Sequence, residues 1–134
     1  MRTPRIQDQA RHSRFCEEDD MGLGTTHNCW SGPYSMFHRW REALHRALGN
    51  EGTLDAAWQA GKYQDQSVPI NVLMNHSDCD GEIPADVCGP LADALAAIQE
   101  KMPDVTVYSM RWMTEKFIQG LRLAASLGEP VEFH

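Results

Sequence analysis

The stretch His76 to Cys88, read in the sequence as HSDCDGEIPADVC, gathers an imidazole, two thiols and the carboxylates of Asp78, Asp80, Glu82 and Asp86. Side chains of these types at this density can hold a cation, move a proton or attack an electrophile. Asp78, Asp80, Gly81 and Ile83 follow the middle of a calcium loop, in which alternating oxygens wrap the ion, glycine permits the sharp turn and isoleucine anchors the loop. With Gly81 in the sixth place, however, His76 stands where the first aspartate belongs and Val87 where the bidentate glutamate belongs. Zinc or another transition metal would instead draw on His76, Asp78, Cys79, Asp80 and Cys88, which offer nitrogen, oxygen and sulfur ligands. Their spacing lacks the paired CxxC or HxxxH elements of common zinc sites.

Two further readings need no metal. A cysteine or histidine beside carboxylates can serve as nucleophile or general base when the groups come within hydrogen-bond reach, and sequence does not place Cys29, Cys79, His38, His45 and His76 within reach of one another. Alternatively, Asp78 and Asp80 accept hydrogen bonds from the N–H groups of a turn, Gly81 takes a positive φ and a cysteine packs inside. No P-loop, dinucleotide fingerprint, serine elbow or HExxH motif is present.

The opposite charge collects elsewhere. From His76 to Asp104 seven acidic residues face Lys101 alone, whereas Pro33 to Gly49 carries Arg39, Arg41 and Arg46 against Glu42. Those arginines, with Tyr34 or Trp40 for stacking, are of the kind that grips an anionic nucleotide. The candidate ligand contacts are thus Tyr34, His38, Arg41 and His45 on the basic side and His76, Asp78, Asp80 and Glu82 on the acidic side.

Elements that would position these groups follow from periodicity. Gly22 to Trp30 suits a short strand. Ser31 as N-cap and Pro33 in the first turn open a helix whose core face is Met36, Phe37, Trp40, Leu44, Ala47 and Leu48, with His38, Glu42, His45 and Arg46 on or beside the far side and Gly49 at its end. Thr53 caps a short helix ended by Gly61. Val68 to Met74 reads as a buried strand with Pro69 near its start. Pro84 to Cys88 reads as a turn, and Gly89-Pro90 precedes a helix with Leu91, Ala94, Leu95, Ile98 and Met102 inside, stopped by Pro103. A strand over 105–108 then leads to the longest helix, Met110 to Leu127. Its stripe is Met110, Met113, Phe117, Leu121 and Ala124, leaving Trp112 and Leu123 as a second apolar face that another element or a second subunit could cover. Val131 to His134 closes the chain as a strand.

Together these predict one α+β domain over 21–134, helix-rich, with a short sheet of two to four strands. Residues 1–20, polar and ending in four acids, have the composition of a disordered tail. The 134 residues, 42% of them apolar, suffice for one core. No apolar run spans a membrane and no secretory leader is readable, so a cytoplasmic location with reduced thiols is expected. A net charge of −7 argues against general nucleic-acid binding.

The segments CWSGPYSMFHRWR (29–41), NHSDCDGEI (75–83), CGPLAD (88–93) and FIQGLRLAA with EPVEFH (117–134) resemble a family of small proteins of uncharacterised function from phages, prophages and actinobacterial genomes. The resemblance carries no catalytic residue. It implies a setting in which small acidic proteins blunt host defences, by capping a host protein or sequestering a nucleotide signal. The expectation is therefore a non-enzymatic binding protein without a cofactor. The rival is a zinc- or calcium-binding protein, or a metal-dependent enzyme, centred on His76 to Cys88.

Overall fold

The computed structural model describes residues 22–77, 80–102 and 110–134. The tail at 1–20, the strand expected at 105–108, and the candidate ligands Asp78 and Cys79 lie outside the described residues.

Helix α1 (Tyr34–Ala47) organises the core because its apolar residues recur at helical spacing. Phe37, Trp40 and Leu44 are fully buried. The Trp40 ring stacks on Trp30 with centroids 5.2 Å apart and lies 4.8 Å from Phe117. Its indole N–H would be stranded there, and it donates to Thr114 Oγ1 at 2.8 Å. Two details depart from expectation. Pro33, not Ser31, occupies the N-cap position and no side chain caps the helix, since Ser31 pairs in a short strand with Gly24. His45, expected on the outer side, is 1% exposed.

Helix α2 (Leu54–Gln59) begins as expected, with Thr53 Oγ1 accepting from Ala56 N–H at 3.1 Å. Glu42 of α1 adds a second acceptor, taking the Leu54 N–H at 2.8 Å and tying the two helices together.

The strand expected over 68–74 is instead helix α3 (Pro69–Met74). A short apolar run bounded by turns suits either structure, and the proline decides it here. Proline at the first helical position has its φ already set and lacks an N–H that would go unpaired, while Val68 before it is extended. Asn71 fastens the start by donating from its side chain to Asp65 O at 2.9 Å.

Helix α4 (Ala85–Gln99) corrects a second expectation, because the supposed turn from Pro84 to Cys88 is its first turn and Pro90 lies inside it. Pro90 and Asp86 are both exposed. The Asp86 carbonyl that loses its helical partner can therefore bond to water. Helix α5 (Met110–Leu127) packs along α4 and buries Met113, Phe117, Leu121 and Ala124, with Met110 half-buried. Gly120 allows it to lie against the Thr26–Asn28 3-10 turn, since a Cβ there would clash with Cys29 Sγ and sit 2.8 Å from His27 O.

Among the described residues, four two-residue strands complete the fold. β1 (Leu23–Gly24) pairs antiparallel with β2 (Ser31–Gly32), and β3 (Glu82–Ile83) with β4 (Val131–Glu132). A bridge between Thr25 and Phe133, with Gly24 and His134 exchanging two 2.8 Å hydrogen bonds, joins the pairs in the order β2-β1-β4-β3. The molecule is a helix-rich α+β domain. Among the described residues no helix is long and apolar enough to cross a membrane.

Candidate functional site

The acidic turn leaves α3 and enters β3, so its geometry depends on what holds those two ends. Arg41 holds the first. Its guanidinium is completely buried, and Nη1 donates to His76 O at 2.7 Å, Leu73 O at 3.1 Å and Met74 O at 3.5 Å. These are carbonyls at and just beyond the C-terminal end of α3, where a cation is favoured by both the unpaired oxygens and the helix dipole. The same guanidinium lies over Phe37, 4.6 Å from the ring centroid, and 5.4 Å from that of Trp58. Trp58 adds its own indole N–H to Met74 O at 2.8 Å.

His76 holds the second end. Its ring lies on Phe133 with centroids 4.2 Å apart, and its nitrogens face Ser77 O at 2.7 Å and Glu82 O at 3.0 Å. Gly81 makes the reversal at φ 89°, and its O accepts from Phe133 N–H at 2.9 Å. Only glycine takes that φ without cost, and a Cβ there would come 3.3 Å from the His76 ring.

Above these anchors the β3–β4 ribbon presents its outer face. Ile83 and Val131 pair inward and are fully buried, so their neighbours Glu82 and Glu132 stand directly opposite each other and exposed. Like charges in opposed positions repel. Among the described residues, neither carboxylate has a basic group within salt-bridge distance. Asp80 and Asp86, both exposed, extend the same charge.

The remaining candidates separate. Cys88 is buried in α4 with Sγ directed at Pro84 O, 3.4 Å away, and burial pushes its thiol pKa up. Cys29 is also buried, and desolvation pushes its pKa up to about 12. Both therefore remain thiols rather than nucleophilic thiolates. Among the described residues no group of three or more His, Cys, Asp or Glu could hold a metal ion.

On the basic side, Arg41 and Trp40 point into the core, while Arg39 and Arg46 remain outside and Tyr34 and His38 are half-buried. His45 belongs to a different network, in which Tyr63 O–H donates to Nδ1 at 2.6 Å and Nε2 donates to Glu51 O at 3.2 Å. His45 also lines an open cavity of about 260 Å³, together with Asn50, Glu51, Ala56, Ala57 and Lys62. The proposed arginine cluster is thus split between core and surface. Trp112 and Leu123 are 39% and 48% exposed on α5.

Sequence reasoning missed Phe133 as the platform for His76 and Glu132 as the partner of Glu82. The alternation Val131-Glu132-Phe133-His134, inward and outward in turn, was the available signal. Nothing in the sequence marks Arg41 rather than Arg39 as the buried one except its place one residue after Trp40. No protein-family model, curated protein or solved structure matches the chain.

Proposed function

We propose that the chain is a binding protein that presents the Glu82–Glu132 ribbon, with Asp80 beside it, to a basic surface on a partner protein. The observation that supports this reading is the opposition of two uncompensated carboxylates on a ribbon whose ends are fastened by Arg41 and His76. Such an arrangement costs stability in the free protein and is relieved when a lysine- or arginine-bearing surface covers it. Capping of a host protein, the role implied by the phage-type resemblance, fits a rigid acidic edge better than nucleotide sequestration does, because Arg41 and Trp40 serve the core.

The test compares two immobilised proteins, the full chain and its Glu82→Gln/Glu132→Gln variant, against bacterial lysate with quantification by mass spectrometry. A basic protein retained by the first, lost from the second and released by moderate salt is the expected outcome. Equal retention by both proteins would overturn the proposal.

A further inference from the structure

The Thr26–Asn28 turn, on the side of β4 that faces α5, contains a second cluster that does not depend on the acidic ribbon. His27 Nε2 lies 2.7 Å from Glu129 Oε1, and His27 Nδ1 lies 2.8 Å from Thr26 Oγ1. When Nε2–H donates to the carboxylate, Nδ1 is left as an acceptor, and the Thr26 hydroxyl donates its proton to it. The hydroxyl oxygen is held from the other side by Glu132 N–H at 2.9 Å. Hydroxyl, imidazole and carboxylate therefore form one chain drawn from two segments, the adjacent Thr26 and His27 and the distant Glu129, which is the connectivity by which a general base activates an alcohol.

The backbone beneath it turns through the left-handed region. His27 and Asn28 take φ 59° and 60°, the left-handed region that side chains seldom adopt. Neighbours enforce this geometry, with Lys116 Nζ donating to Asn28 O at 2.7 Å and Gly120 admitting the close approach of His27 O. Thr26 is half-buried, the His27 side chain is 10% exposed and Glu129 is exposed, so the cluster lies at the surface of the molecule.

We propose that Thr26 is an acyl-accepting hydroxyl, with His27 as its base and Glu129 orienting the ring, and that its substrates are small activated esters. Thr26 Oγ1 attacks the acyl carbon as its proton passes to His27 Nδ1. The ester C–O bond then breaks, and the leaving alcohol takes that proton. Water attacks the acyl-threonine in turn, giving its proton to His27 Nδ1, and cleavage of the Oγ1–acyl bond returns the proton to Thr26 and releases the acid.

The test incubates the full chain with p-nitrophenyl acetate and follows p-nitrophenolate release, the intact mass and the acetylated peptide. One acetyl group mapped to Thr26 is expected. Release should fall about a hundredfold in Thr26→Val and in His27→Asn, asparagine being tolerant of the positive φ, while Thr26→Ser should retain it. Thermal melting of each variant separates lost chemistry from lost folding. Acetyl groups found only on lysines, or undiminished release by a folded Thr26→Val protein, would overturn the proposal; the mapped adduct of the unaltered chain decides even if a variant fails to fold.

Discussion

Beneath the turn, Arg41 is a charge removed from water, with Nη1 set against three carbonyl oxygens; above it, Glu82 and Glu132 are charges left in water and facing each other. The two regions lie on either side of the same few residues, yet they follow opposite rules. Burying a guanidinium is tolerable only when its acceptors are already in place, so the Arg41 environment is assembled for stability. The ribbon is assembled against stability, because nearly any other pair at those positions would repel less. A region that buries its charge against carbonyl oxygens and aromatic rings and a region that leaves charges opposed point to different purposes, and the proposed contact surface is the second.

The largest expected effect breaks the first region. Arg41→Ala should cost about 3 kcal/mol or more in urea denaturation, through the lost volume and the His76 carbonyl left without its donor. Arg41→Lys should restore little of this, since an ammonium does not reproduce the planar fork or its packing on Phe37. Loss of slow hydrogen exchange at Ile83 and Phe133 in the same variant would show that the ribbon depends on its anchor.

Gly120→Ala is expected to destabilise by about 1–3 kcal/mol, because the added methyl meets Cys29 and the His27 carbonyl. A neutral outcome in thermal melting would mean that the turn is not pressed against α5.

The pH dependence follows from the buried thiols. Cys29 is raised from 9.0 to about 12 in the folded chain, so between those values the unfolded state loses a proton that the folded state keeps. Stability should be full below pH 9.0 and fall as pH rises toward 12, with Cys88 and Tyr63, also raised by burial, acting in the same direction. Cys29→Ala should flatten that decline in a pH series of denaturation curves, and native Cys29 should resist iodoacetamide at neutral pH until the chain is unfolded.

Much of this was legible in the sequence. The α1 and α5 stripes, the Thr53 cap and the closing strand follow from periodicity and capping chemistry, which are local. The strand expected over 68–74 failed because a short apolar run carries no period of its own, and Pro69 was weighed as a strand edge rather than a helix start. Gly89-Pro90 was read as a break, although an exposed proline in an early turn can leave its unpaired carbonyl to water. The turn from His76 to Glu82 was legible as a place, and Gly81 as its pivot. What it rests on was not, because Arg41 and Phe133 are distant in the chain and only the tertiary fold brings a guanidinium to the end of α3 and a ring under His76.

The most direct test of the account is a double-mutant cycle in urea across Glu82 and Glu132, each changed to Gln. Either single change should stabilise the chain by about 0.2–1 kcal/mol, the double change should add little more, and salt should shrink the gain. Loss of stability in both single variants would contradict it, since the two carboxylates would then be serving the fold rather than waiting for a partner.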